Sequence, residues 1–442
     1  MAVPKPNILL VNCHDLGQHI GPYGVPTVHT PALDRLARSG VVFTNSFCTS
    51  PGCSPSRAAL FTGRYPHSTG VMGLTHGNFF WRMNDDEEHL AQLLGAAGYR
   101  TALIGGMHEH TPGEERRLGY QHLPATGYQP ANKVADATLS FLQTQRSSET
   151  PFYLCVGLFE PHRPFDYGGA VPDRETGVTI PPYIPQDSPE ACAAAEEEFA
   201  ALQGAIRRVD HAIGRILDGL EQSGFGDNTV VVFTADHGLA MPRAKCSLYD
   251  PGIEVPLIIR APSWHLEPGS RRAALVSNVD VVPTLLDALG IPIPKRIQGV
   301  SAMPCLRGEN RPVRDAVFAE KTYHRTYDPM RCIRTKEHKY IINFELNTVY
   351  DAPSDIMKGA IFRTSAERYC TQRDLVELYD LKNDPWETQN LSRTPELATT
   401  EARLRRRLLD WLEKTEDPIR HGAVTSRYFQ VLMERLTHDA DA

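Results

Sequence analysis

Short, almost wholly apolar runs recur along the chain, at residues 7–11, 101–104, 152–159, 229–233 and 255–259. Runs of that length, bounded by turn-forming residues, fit β-strands buried on both faces. Between them the apolar spacing changes to three and four. His89-Leu90-Ala91-Gln92-Leu93-Leu94 starts a helical pattern that Gly98 is placed to end. The strongest periodicity joins Phe199, Leu202, Ile206, Val209, Ile213, Ile216, Leu217 and Leu220 and predicts a helix over about 196–222. Buried strands alternating with amphipathic helices predict an α/β fold, a large, mainly parallel sheet flanked by helices. The Pro- and Gly-rich stretch 165–188 predicts a long surface loop. After Gly308 the runs become shorter and alternating, at 316–319, 332–334, 340–344 and 376–381, with a strong helix only at about 399–414. That change predicts a smaller C-terminal α+β subdomain with an antiparallel sheet, and a division into 1–308 and 309–442.

Composition narrows the class. At 442 residues the chain has room for two or three domain-sized units of roughly 150 residues. Its 41% hydrophobic and 22% charged residues are ordinary for a soluble globular protein. The net charge of −7 is spread along the chain, so no broad basic surface for nucleic acid is expected. No apolar run approaches the ~20 residues of a membrane span. Nine cysteines, scattered singly and without a CxxC, argue against a zinc knuckle or a disulfide framework. Residues 1–6 lead straight into the first apolar run with no signal-peptide core, so the cytoplasm is the expected setting.

In open α/β sheets ligands bind beyond the carboxyl ends of the strands. Here the residues following the strands are Cys13-His14-Asp15, then Gly105-Gly106-Met107-His108-Glu109-His110, then Glu160-Pro161-His162-Arg163, then Asp236-His237-Gly238. Any one of these reads equally as a solvated turn with a capping carboxylate; four in succession point to metal ligation or proton transfer. A fifth element, Cys53-Ser54-Pro55-Ser56-Arg57 before a short helical pattern, places Cys53 near a helix N-terminus, which favours an anion or nucleophile. Taken alone, Cys53 also reads as a small buried hydrophobe. Asp210-His211 and the 403–407 arginine stretch are expected on solvated helix faces, and Cys246 is expected to be structural. The segment from His76 to Arg82 fits an aromatic loop over a pocket or a packing surface for the C-terminal subdomain.

Cys53-Ser54-Pro55-Ser56-Arg57 resembles the signature of the sulfatase family, whose cysteine is oxidised after translation to formylglycine. The similarity continues in order through His14-Asp15-Leu16-Gly17, residues 29–37, residues 98–108, Pro161-His162, Asp236-His237-Gly238 with Lys245, residues 280–286, and residues 378–387. The runs at 70–76 and 161–163 are most similar to the N-sulfoglucosamine sulfohydrolase-like branch. The resemblance implies hydrolysis of sulfate esters or sulfamates of a carbohydrate or small molecule. It implies Cys53 as the formylglycine nucleophile, Arg57 holding its hydrate, His108 as base, and His162 with Lys245 at the leaving group. Arg163 is implied as a substrate-binding fork. One divalent metal would be held by His14, Asp15, Asp236, His237 and the modified Cys53. Calcium is the family's metal, but two imidazoles favour manganese, zinc or iron. The implied partners are an anionic small-molecule or glycan substrate and a formylglycine-generating or other maturation enzyme, with no nucleic acid or membrane; oligomeric state stays open. Three positions depart from the family pattern: His14 stands where an aspartate is usual, His237 where many members have asparagine, and Gly106 where a lysine is usual. These departures leave room for a phosphodiester or phosphonate monoester hydrolase, or a non-catalytic binding protein, on the same scaffold.

Overall fold

The computed structural model describes residues 5–309, 311–347 and 351–440. An eight-stranded sheet is built from β1 (Asn7–Cys13), β2 (Val41–Phe47), β3 (Arg100–Gly105), β4 (His122–Thr126), β5 (Phe152–Leu158), β6 (Thr229–Ala235), β7 (Leu257–Arg260) and β8 (Ser270–Ser277). The spatial order is β4-β3-β5-β1-β6-β7-β2-β8. Every pairing is parallel except those of β7, which runs against both β6 and β2. A separate antiparallel sheet, β12-β11-β10-β9, is formed by β9 (Val317–Tyr323), β10 (Tyr327–Arg334), β11 (His338–Asn343) and β12 (Val376–Asp380). The mixed α/β architecture with its small C-terminal antiparallel sheet is the one predicted.

Along β1 the side chains alternate between two cores. Leu9 and Val11 join the cluster under the helices Pro31–Ser39, Ala131–Gln145 and Pro189–Gln222. Ile8 and Leu10 join the opposite cluster, under Cys53–Thr62, Leu90–Ala96 and Val281–Ala288. Helices therefore cover both faces of the large sheet, as a mainly parallel sheet requires. The long helix starts earlier than its apolar stripe suggested, because Ser188 caps it through its side chain (3.1 Å to the Ala191 N–H) and Pro189 follows. The 165–188 segment is irregular, as expected, yet it buries Phe165, Ala170, Tyr183 and Ile184 in the core rather than lying wholly on the surface.

Asp210 corrects a second expectation. It is buried, and its carboxylate accepts from the Ala32 and Leu33 N–H groups at 3.0 and 2.8 Å, capping the start of the helix Pro31–Ser39. Arg403, Arg405 and Arg406 do lie exposed on the helix Ala398–Lys414, whose Leu404, Leu408, Trp411 and Leu412 face inward. No helix is long and apolar enough to cross a membrane among the described residues.

Candidate active site

β3, β5, β1 and β6 are four consecutive strands of the large sheet, and the polar residues that follow each of them meet at one end of it. At the end of β1 the chain turns sharply: Asp15 adopts φ +51°, a left-handed conformation that Asp tolerates better than most residues. Its N–H donates to Asp236 Oδ1 at 2.9 Å, and the His237 N–H donates to the same oxygen at 2.9 Å. The ends of β1 and β6 are thus locked by the Asp236 carboxylate. Arg57 Nε donates to its other oxygen at 3.1 Å.

Cys53 opens the helix Cys53–Thr62, every residue of which is buried. Ser56 Oγ donates to the Asp236 carbonyl, and Asn278 Nδ2 donates to Ser56 O at 3.0 Å, pinning the helix start against β6. The positive end of the helix dipole therefore points at Cys53. Cys53 Sγ lies 3.3 Å from His237 Nε2, which lies 2.9 Å from Asp15 Oδ1. His237 Nδ1–H donates to the Gly238 carbonyl at 3.0 Å, directing Nε2 toward Asp15 and Cys53. Donor atoms of His14, Asp15, Cys53 and Asp236 all lie within 4.8 Å of one another, and those of His14, Cys53 and His108 form an overlapping group.

The charges are arranged in opposition. Lys245 Nζ donates to both oxygens of Asp15, at 2.7 and 3.0 Å, and sits 3.3 Å from His162 Nε2. Burial opposes ionisation of Asp15, but Lys245, His162 and His237 hold it below the usual carboxylate range. Asp236 is likewise held low by His237, His14 and Arg57 against its burial. Burial raises the Cys53 thiol, and Lys245 and His237 outweigh it, so the thiol is well below its ordinary range. His108 goes the other way: burial pushes it down to about 4 despite neighbouring Cys53, leaving a neutral imidazole. His76 Nδ1 contacts His108 Nε2 at 2.6 Å and backs that ring.

Cys53, Arg57, His108, His162, Lys245, His14, Asp15, Asp236 and His237 are therefore brought together. Arg163 differs from the expected open fork. Its guanidinium pairs with Glu198 and lies over the Phe165 ring, while its Nε donates to the Ala240 carbonyl at 2.8 Å, so the fork is spent on packing the long helix. The His76–Arg82 segment divides its roles. His76 faces the site, whereas Trp81 packs on Tyr323 and Phe80 stacks on Tyr428 in the C-terminal part. Two contributors escape the sequence reading. Tyr128, in the loop after β4, brings its hydroxyl 3.2 Å from His14 Nε2. His324, in the turn between β9 and β10, is buried against Gly52, and burial beside Lys245 pushes it down to about 3.

Polar side chains left without partners mark where a ligand fits. Among the described residues Arg57 Nη2, His14 Nδ1 and His108 Nδ1 are buried and make no hydrogen bond. A buried donor or acceptor left unmade costs about 1–3 kcal/mol, so three in one pocket suit a polar, charged occupant. Two carboxylates, two imidazoles and a sulfur within a few ångströms form a donor set that fits a divalent cation.

Residues 6–291 match the family described as Sulfatase, and residues 237–358 match the description N-sulphoglucosamine sulphohydrolase, C-terminal. The N-sulphoglucosamine sulphohydrolase of Homo sapiens is 31% identical, the alignment covering 93% of this chain and 91% of that protein. An ulvan-active sulfatase of Formosa agariphila is 28% identical over 93% of this chain and 76% of its own length. A solved 2-O GAG sulfatase is 25% identical and superposes with a TM-score of 0.73, covering 96% of this chain and 95% of the other. With the family match extending from the first strand past the helix Val281–Ala288, and a 31% identical relative spanning nearly the whole length, the chain belongs to the sulfatase family, the sulfuric ester hydrolases.

Proposed function

We propose that this sulfatase removes sulfate, as an O-ester or an N-sulfamate, from a glycan, using a formylglycine formed at Cys53 and one divalent cation. The observation that carries the reading is the meeting of Cys53, at a helix N-terminus, with Arg57, Lys245 and two buried carboxylates at the ends of adjacent strands. The relatives named above for glucosamine sulfate and ulvan support a glycan substrate.

Sulfate carries negative charge, and hydrolysis needs it held, attacked and separated from its leaving group. When formed, an aldehyde hydrate at position 53 supplies a hydroxyl for attack on sulfur and a second whose deprotonation releases sulfate. The cation, held by His14, Asp15, Asp236 and His237 beside residue 53, would polarise sulfate oxygens and make the hydrate more acidic. Two imidazoles in that set favour manganese, zinc or iron over calcium.

The chain's own groups do the rest. Arg57 is anchored through Nε on Asp236 and offers the unpartnered Nη2 to an anionic oxygen. His108, kept neutral by burial, accepts a proton at its free nitrogen while His76 braces the other. His162, 22% exposed at the mouth and adjoining Lys245, delivers a proton to the departing oxygen or nitrogen. Lys245 moderates the charge that develops there. The reading includes a maturation enzyme that oxidises Cys53 and a reducing, cytoplasmic setting in which the other eight cysteines stay as thiols.

Parallel assays on an aryl sulfate, glucosamine N-sulfate and a phosphodiester, with protein from a host able to form formylglycine, test this reading. Faster turnover of a sulfated probe is expected. Preferential phosphodiester turnover would move the function to the related phosphohydrolases, and no turnover of any probe by modified, metal-loaded protein would favour a binding role.

A further inference from the structure

His14 reaches the cluster with a nitrogen whose state is set by a residue from another segment, the loop after β4. Its Nδ1 lies 3.0 Å from Asp236 Oδ2 and 3.9 Å from Asp15 Oδ1. Despite that proximity, Nδ1 is buried and makes no hydrogen bond, so its angle does not suit an N–H aimed at the carboxylate. The opposite nitrogen, Nε2, lies 3.2 Å from the Tyr128 hydroxyl. A neutral imidazole carries one N–H, and the partner of one nitrogen decides what the other offers. With Nε2–H donating to the Tyr128 oxygen, Nδ1 presents a lone pair to the space shared with Asp15 and Asp236.

Tyr128 is itself held in place. Its ring lies at 5.3 Å from the His14 ring and 4.9 Å from that of Phe159, and the Tyr167 hydroxyl donates to its carbonyl at 3.2 Å. It also covers Gly106: a Cβ there would come within 2.5 Å of Tyr128 Cε1 and 2.7 Å of Cδ1. Any side chain at 106 would expel the ring from its seat above His14. Gly106, Tyr128 and His14 therefore form one mechanical unit, although they lie on three different segments.

We propose that Tyr128 is a positioning residue for the cation site, fixing the His14 tautomer that leaves Nδ1 as a ligand, and that Gly106 is required because it seats the Tyr128 ring. The unit adapts the site to a cation that accepts imidazole nitrogen. The inference rests on the cluster being a divalent-cation site, as proposed above. It also joins two of the departures from the family pattern, at 14 and 106, into a single change.

The test is cation binding to the whole protein, followed by Co(II) visible absorption and by calorimetric titration with Co(II) and Ca(II). Tyr128→Phe keeps the ring and removes the hydroxyl. It is expected to weaken Co(II) binding about 10–100-fold, the range for losing an outer partner of a metal-bound histidine, and to alter the Co(II) spectrum while leaving Ca(II) binding unchanged. Gly106→Ala is expected to reproduce the Co(II) loss, and to add nothing in a Tyr128→Ala background. In His14→Asp the Tyr128→Phe change should be silent, with Ca(II) now preferred. Unchanged Co(II) affinity and spectrum in Tyr128→Phe, or an equal loss in the His14→Asp background, would overturn the inference while leaving the cation site standing. Wild-type protein that binds neither ion would overturn both. Circular dichroism of each variant confirms that the fold is retained; should Gly106→Ala not fold, Tyr128→Phe and His14→Asp decide the matter alone.

Discussion

Arg57 has two jobs that separate on substitution. Its Nε fixes Asp236, while the unpartnered Nη2 is available to substrate. Arg57→Lys keeps a cation but loses the fork, so turnover should fall about 10²–10³-fold, as when one aimed donor is removed, with a smaller change in thermal stability. Steady-state assay beside thermal unfolding separates these effects; unchanged kcat would remove Arg57 from the sulfate clamp. Asp210 makes a pH prediction. Burial pushes its carboxyl up to about 6, outweighing the backbone donors of Leu33 and Ala32. The folded chain therefore binds this proton more tightly than the unfolded chain, whose carboxyl has its ordinary value of 3.8. The stability from that proton is full below about pH 4 and is lost as pH rises through about 6. Relative to Asp210→Asn, the wild type should lose stability between about pH 4 and 6.5 in chemical denaturation, whereas a constant difference would contradict the assignment. Residues at strand ends, such as His14, Asp15, Asp236 and His237, were legible because the sheet topology assigns them a common edge. Tyr128 was not, since its closeness to Gly106 and His14 depends on how the loop after β4 folds back.

Elements were legible where one face is apolar and bulky. β1, β3, β5, β6 and β7 coincide closely with their apolar runs, and the helix at Cys53 begins where Pro55 placed it. The strands missed have weaker patterns. β4 and β8 are edge strands, β4 with no fully buried position and β8 alternating half-buried and exposed residues before its buried end, and in β2 the apolar Val41-Val42-Phe43 is followed by Thr44 and Asn45. The first turns of the long helix are rich in alanine, so its start was signalled by Ser188 and Pro189 rather than by periodicity. Ser188→Ala should cost about 1 kcal/mol. The same helix carries Glu198, which pairs with Arg163 and also accepts from the Ile361 N–H at 2.9 Å. Removing it leaves a buried guanidinium unpaired, so Glu198→Ala should destabilise by about 3–5 kcal/mol in urea unfolding. A loss under 1 kcal/mol would return Arg163 to the substrate.

At the scale of the whole molecule, the small sheet is joined to the catalytic sheet through buried ion pairs. Asp250, just before β7, meets Arg334 of β10 at 2.9 Å and Lys339 of β11 at 2.5 Å, and Lys339 meets Glu387 at 2.7 Å. His324 from the β9–β10 turn reaches Gly52 beside the nucleophile, so the small sheet also forms part of the active-site wall. The sequence placed this sheet after Gly308 but did not reveal its role at the site, because His324 and Gly52 lie on distant stretches of the chain that only the fold brings together. A cation bound only by the folded chain should raise stability, by about 2.7 kcal/mol at a hundred times its Kd, and a chelator should reverse that rise in thermal unfolding. All of this chemistry converges on residue 53. Mass spectrometry of the peptide containing Cys53, from protein made in its native host, tests that centre most directly. The expected result is the mass loss for conversion of CH₂SH to CHO; an unmodified thiol throughout would contradict it.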